Sequence, residues 1–132
     1  MRYTIDTVTS MIGASRYGYC PATIAWLLTD SRSLCFPDET LFFALQGKRD
    51  GHDYIRGLYD KGVRNFVVSR LPDRMDDYLE SNFLLVKDTL QALQTLAMAH
   101  RKEFAVPVIG ITGSNGKTIV KEWLYQLLEQ NY

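Results

Sequence analysis

The nine residues "GITGSNGKT", Gly110 to Thr118, carry the densest chemistry in this sequence. A glycine turn that opens a helix gathers backbone N–H groups around one point, where the helix dipole also favours an anion. Glycines let the backbone come close to phosphate oxygens. Lys117 adds a mobile positive charge for terminal phosphates, and the Thr118 hydroxyl stands where it would ligate Mg²⁺. The usual phosphate-loop pattern puts a glycine five residues before the Gly-Lys pair, but Ile111 occupies that position. Glycines instead recur at every third residue, Gly110, Gly113 and Gly116. Gly113, Ser114, Asn115, Gly116, Lys117 and Thr118 are therefore the expected ATP-binding residues, with Thr118 the Mg ligand. The plainer alternative is a Gly-Asn turn followed by a lysine that merely begins a helix.

Such a loop needs a strand to deliver it and a helix to receive it. "FAVPVIGIT" reads as that strand, and Val120, Trp123, Leu124, Leu127 and Leu128 form the apolar stripe of a helix behind it. Upstream, Ile5, Val8 and Ile12 share a helical face that Thr4 caps. "ATIAWLLTDSR" reads as a strand running into a polar turn, and "ETLFFALQG" as a strand buried on both faces. "GKRDGHD" is a loop by composition. Ile55, Leu58 and Tyr59 follow helical spacing, and Gly62 marks a stop. "RNFVVS" and "NFLLVKD" read as strands, separated by a turn and a polar helical stretch in "RLPDRMDDYLES". Thr89 is placed to cap the next helix, with Leu90, Leu93, Leu96, Ala97 and His100 at helical spacing. Strands alternating with helices predict an α/β fold with a mixed or mostly parallel sheet. The charged cluster "HRKEF" suggests a boundary, dividing the chain into 1–103 and 104–132.

Composition narrows the classes. The 132 residues make about one domain, with 46% apolar and 23% charged residues, as in soluble globular proteins. Fifteen basic residues balance fifteen acidic ones, so the basic excess of a nucleic-acid binder is missing. The longest apolar runs fall short of a membrane span, and Met1 is not followed by a secretory signal, so no membrane insertion and a cytoplasmic location are expected. Cys20 and Cys35 lack metal spacing and read as reduced thiols. Trp26, Phe42, Phe43 and Trp123 read as core packing rather than base stacking, and the "DRMDDYLE" acidic group as a solvated face.

The form "GITGSNGKT" resembles the ATP loop of the Mur ligases, the ATP-dependent amide-bond-forming enzymes of bacterial cell-wall synthesis, and of the related folylpolyglutamate synthetases. "TDSRSLCFPDETLFFALQGKRDGHDYI", Thr29 to Ile55, separates the two. It resembles the amino-terminal signature of MurE and MurF ligases in Asp30, Ser31 and Arg32; Pro37, Asp38 and Glu39; Ala44, Leu45 and Gly47; and Asp50, Gly51 and His52. "YDKGVRNFVVS" and "VKDTLQALQTLAMAHRKEF" extend the likeness from about Thr23 onward. "DGHDYI" and "IVKEW" favour the MurF type over the MurE type. Two departures stand out: "PDE" replaces the family's Pro-Gly-Asp turn, and "GKRDGH" looks one residue shorter than in many relatives.

The resemblance implies an α/β amino-terminal domain with a mixed sheet and flanking helices, followed by the first strand, P-loop and helix of a central domain. It implies that 1–103 binds the UDP part of UDP-N-acetylmuramoyl-tripeptide through Ser31, Arg32, Gly47, Lys48, Arg49, Asp50, Gly51 and His52. A hydroxyl and a forked guanidinium at a turn suit uracil edges and phosphate oxygens. For Ser31 and Arg32 a turn with a structural ion pair is the alternative, and for His52 a structural hydrogen bond. His100 reads as structural. The whole enzyme would use ATP and Mg to activate the peptide carboxylate as an acyl phosphate, which the amine of D-alanyl-D-alanine attacks. Some members are fused to an alanine racemase. On this reading the chain is the amino-terminal part of such a ligase and is inactive alone. A MurE-type ligase, a small complete P-loop phosphotransferase and a freestanding UDP-sugar-binding module are the competing readings.

Overall fold

The computed structural model describes residues 2–130, so residues 131 and 132 of the expected second unit lie outside the described residues. A five-stranded sheet forms the centre, in the order β2-β7-β6-β5-β4. Its strands are Ser15–Tyr17 (β2), Trp26–Leu28 (β4), Thr40–Phe43 (β5), Asn65–Val68 (β6) and Asn82–Leu85 (β7). β4, β5, β6 and β7 pair in parallel, while β2 runs antiparallel against β7, so the sheet is mixed as expected.

The apolar runs explain the layering. Side chains along a strand alternate between faces. Leu41, Phe43, Val67 and Leu84 therefore pack on one face with Ile5, Val8 and Leu96. Phe42, Phe66, Val68 and Phe83 pack on the other with Ile55 and Leu58. The helices on the first face are Ile5–Ile12 (α1) and Thr89–Lys102 (α3); Ile55–Asp60 (α2) covers the second. Thr4 caps α1 as expected, accepting from the Thr7 N–H at 3.2 Å. α2 is followed by a turn in which the Gly62 N–H reaches the Tyr59 carbonyl at 2.9 Å.

Several expectations need correction. The α3 cap is Asp88, whose carboxylate accepts from the N–H groups of Leu90 and Gln91 at 2.8 and 3.0 Å. Thr89 is instead the first helical residue, and its hydroxyl donates to the Ala44 carbonyl at 3.0 Å. Leu90 is exposed, and Thr89, Ala92 and Leu96 form the buried face of α3. The "ATIAWLLT" strand is split: Thr23–Ile24 (β3) pairs with Tyr3–Thr4 (β1) in a separate two-stranded sheet, and only β4 joins the main one. The polar helical stretch reduces to one 3₁₀ turn, Met75–Asp77. Trp26 and Trp123 are 51% and 64% exposed rather than in the core.

"FAVPVIGIT" does not form a strand. A strand exists through its neighbour's hydrogen bonds, and no described segment pairs with residues 105–112. Arg101 holds the start of this stretch, donating to the Phe104 and Val106 carbonyls at 2.6 and 2.7 Å. The following helix, Lys117–Leu128 (α4), does form, but Val120, Trp123, Leu127 and Leu128 are exposed. His100 is structural, its Nδ1 2.7 Å from the Tyr3 hydroxyl. Cys20 and Cys35 are both free thiols, and no described helix is long and apolar enough to cross a membrane.

A buried polar relay fixes the amino-terminal ends of β6 and β7. Asn82 donates to Asn65 Oδ1 at 2.9 Å and to the Cys20 carbonyl at 3.0 Å. Its own Oδ1 accepts from Nε and Nη2 of Arg16 at 3.2 and 2.8 Å. Arg16 also pairs with Asp6 on α1, so one guanidinium ties helix, edge strand and sheet together.

Candidate functional site

In parallel sheets, ligand clefts lie beyond the carboxyl ends of the strands. Here the segments leaving β4 and β5 enclose a cleft of about 620 Å³. Asp30, Ser31 and Arg32 line one side, and Gly47, Lys48 and Arg49 the other. Phe42, Leu45 and Tyr54 supply its apolar surface.

The first wall is a 3₁₀ turn, Ser31–Ser33, capped by Asp30, which accepts from the Arg32 N–H at 3.0 Å. The Arg32 side chain folds back on that carboxylate, with Nε–Oδ1 at 2.9 Å and Nη2–Oδ2 at 2.6 Å. The guanidinium, and then the backbone N–H, hold the Asp30 carboxyl down to about 2. The same pairing raises Arg32 above its ordinary value.

The second wall is a tight loop. The Gly47 N–H donates to the Arg49 carbonyl at 3.2 Å, and the Gly51 N–H to the Leu45 carbonyl at 2.8 Å. A Cβ on Gly51 would lie 2.7 Å from backbone atoms of Ala44 and Leu45, so this place requires glycine. Asp50 caps the next turn, Gly51–Tyr54, accepting from the His52 N–H at 2.9 Å.

His52 is buried behind the loop, its side chain 6% exposed. The Ser69 N–H donates to Nε2 at 3.1 Å, so Nδ1 carries the proton and donates to Asp50 at 2.6 Å. Arg70 reaches the other Asp50 oxygen at 2.8 Å. Both His52 ring nitrogens are thus engaged in structure.

Of the eight residues expected around the UDP moiety, Ser31, Arg32, Gly47, Lys48, Arg49 and Gly51 line the cleft together. The Asp50 and His52 side chains brace the loop from behind. Thr29, Gln46 and Tyr54 also line it and were not singled out from sequence. Their signal was available: all three directly adjoin the ends of parallel strands or the loop motif, where α/β clefts form.

Asp50 yields a pH-dependent expectation. The His52 backbone N–H first, then the side chains of His52 and Arg70, hold its carboxyl well below the usual carboxylate range. A depressed folded-state value stabilises the fold above the unfolded value of about 4 and loses that contribution as pH falls below it. Asp50→Asn is expected to cost about 1–2 kcal/mol at pH 7. Urea unfolding of both proteins at pH 7 and pH 3 checks this, and a gap that fails to narrow at pH 3 contradicts it.

The glycine loop precedes α4 and is exposed from Gly113 to Thr118. Gly116 adopts φ 76°, left-handed, immediately before Lys117 opens the helix. The Lys117 ammonium donates to the Gly113 carbonyl across the turn. Free N–H groups at a helix start, a nearby ammonium and the Thr118 hydroxyl suit a phosphate chain with a divalent cation. Among the described residues no cluster of His, Cys, Asp or Glu forms a separate metal site.

No protein-family model matches the sequence. A UDP-N-acetylmuramoyl-tripeptide–D-alanyl-D-alanine ligase from Rickettsia prowazekii is 42% identical over 92 residues, covering 70% of this chain and 20% of that protein. The crystal structure of MurF from Acinetobacter baumannii superposes with a TM-score of 0.85 at 29% identity, over 99% of this chain and 28% of that one. A MurF ligase from Thermotoga maritima in complex with ADP matches 80% of this chain and 23% of its own, with a TM-score of 0.64 and 33% identity. The chain thus spans less than a third of the length of these relatives.

Proposed function

The chain belongs to the Mur ligase family, in its MurF type, and we propose that residues 1–103 bind the UDP end of UDP-N-acetylmuramoyl-tripeptide. The observation that carries this is the cleft at the carboxyl ends of β4 and β5. Its lining combines apolar surface from Phe42, Leu45 and Tyr54 with three cations, Arg32, Lys48 and Arg49. That combination suits a nucleoside joined to a diphosphate. Ser31 and Gln46 offer hydrogen-bonding groups for uracil edges.

In the proposed whole enzyme, Gly113, Ser114, Asn115, Gly116, Lys117 and Thr118 hold ATP, and Thr118 binds its Mg. Bound ATP supplies the phosphoryl group that activates the peptide carboxylate for attack by D-alanyl-D-alanine. Residues 104–130 present the loop and an exposed apolar helix but no sheet around them. The 132-residue chain is therefore proposed to bind the UDP-linked substrate and not to turn over ATP.

Thermal unfolding tests this directly. A saturating UDP-N-acetylmuramoyl-tripeptide is expected to raise Tm, because a ligand bound only by the folded state stabilises it. Arg32→Ala is expected to reduce that shift markedly. Mg·ATP alone is expected to leave Tm nearly unchanged. An absent shift with the UDP ligand would defeat the substrate assignment, and phosphate release from ATP would defeat the inactivity.

A further inference from the structure

We propose that Asp30 is a positioning residue of this cleft: its carboxylate occupies the place on Arg32 that a ligand diphosphate takes, so binding exchanges one anion for another. The proposal rests on the nucleotide-diphosphate reading of the cleft given above.

Charge in the cleft is asymmetric. Arg32, Lys48 and Arg49 are its cations, and Asp30 is the one carboxylate among its lining residues. Asp50, the nearest other acid in the loop, is turned away and consumed by His52 and Arg70. Lys48 and Arg49 make no ion pair among the described residues. Of the three, only the Arg32 guanidinium is already engaged, its Nε and Nη2 donating to both oxygens of Asp30.

A guanidinium presents the same fork to carboxylate and phosphate oxygens. The Asp30–Arg32 pair is solvent-exposed, with side chains 44% and 87% accessible, so water screens it and it opens easily. An arriving diphosphate can therefore take the fork. The displaced carboxylate stays in the cleft because Asp30 is anchored as the turn's cap through the Arg32 N–H. It holds the Arg32 guanidinium folded back at the turn before binding and opposes the ligand's charge afterwards.

Asp30→Asn separates these roles. The amide oxygen still accepts the capping N–H, while the charge is gone. Calorimetric titration of the 132-residue chain with UDP and, separately, inorganic pyrophosphate is the test. Asp30→Asn is expected to bind both anions roughly three- to tenfold more tightly than the unaltered chain, as loss of one like charge a few ångströms away implies. In an Arg32→Ala background the same substitution should give less than half that gain on the logarithmic scale. A merely structural Asp30 would weaken binding when replaced. Unchanged or weaker pyrophosphate binding by Asp30→Asn, an equal gain without Arg32, or no pyrophosphate binding by any variant would overturn the exchange. If the unaltered chain binds pyrophosphate but not UDP, the nucleotide reading fails while the pyrophosphate comparison still decides the role of Asp30.

Discussion

Asn82→Leu is expected to lower the stability of the chain by about 2–4 kcal/mol. Leucine is close to asparagine in shape but makes no hydrogen bond. The change leaves Arg16, whose side chain is only 11% exposed, with Asp6 and the Cys20 carbonyl but without the two bonds that Asn82 accepts. It also removes the donor to Asn65, whose Nδ2 already lacks a partner. Removing one member of a buried network costs the desolvation of everything left behind. Asn82→Asp keeps an acceptor for Arg16 and should lose less. Urea unfolding of the three proteins measures both differences, and a loss below about 1 kcal/mol for leucine would show that the relay does not stabilise the sheet.

Gly51→Ala is expected to cost about 2–3 kcal/mol and to weaken UDP binding by roughly tenfold or more. The added methyl would meet Ala44 C, Ala44 Cα and Leu45 N, each at 2.7 Å. All three are backbone atoms at the end of β5, so no side chain can rotate aside, and the loop itself must move. That loop is the second wall of the cleft, carrying Gly47, Lys48 and Arg49. Gly57 gives the contrast: it lies within α2, and a methyl placed there would meet nothing within 4 Å. Gly57→Ala should leave binding unchanged and stabilise by about 0.5–1 kcal/mol. Unfolding and calorimetry on both variants check the pair, and equal behaviour would contradict the close-approach argument.

Where an element is decided by its own residues, the sequence alone determined it. β5 is apolar along its run, so it reads as a strand buried on both faces and is buried as such, and β6 reads as a strand and forms one. α1 carries its cap and its stripe within a few residues, and its limits follow. The polar turn after β4 and the glycine loop after β5 were legible for the same reason, as local patterns; that they face one cleft was implied only by the resemblance to the family.

Elements that depend on a neighbour could not be read this way. β1 and β2 are too short to show a period and exist because β3 and β7 offer them hydrogen bonds. "FAVPVIGIT" has every local mark of a strand and forms none, since no described segment runs beside it. Thr89 and Asp88 are both acceptable caps, and the choice falls to Asp88 because the Thr89 hydroxyl is drawn to the Ala44 carbonyl just past β5. Likewise the resemblance placed Asp50 and His52 in the expected UDP loop, but only packing shows that their side chains face inward, to Ser69 and Arg70. The likeness of residues 30–32 and 47–52 to the family's motifs thus pointed to the groups that gather at the cleft. The tertiary structure decided which of them are free to meet a ligand, because hydrogen-bonding capacity spent on a distant partner is invisible along the chain.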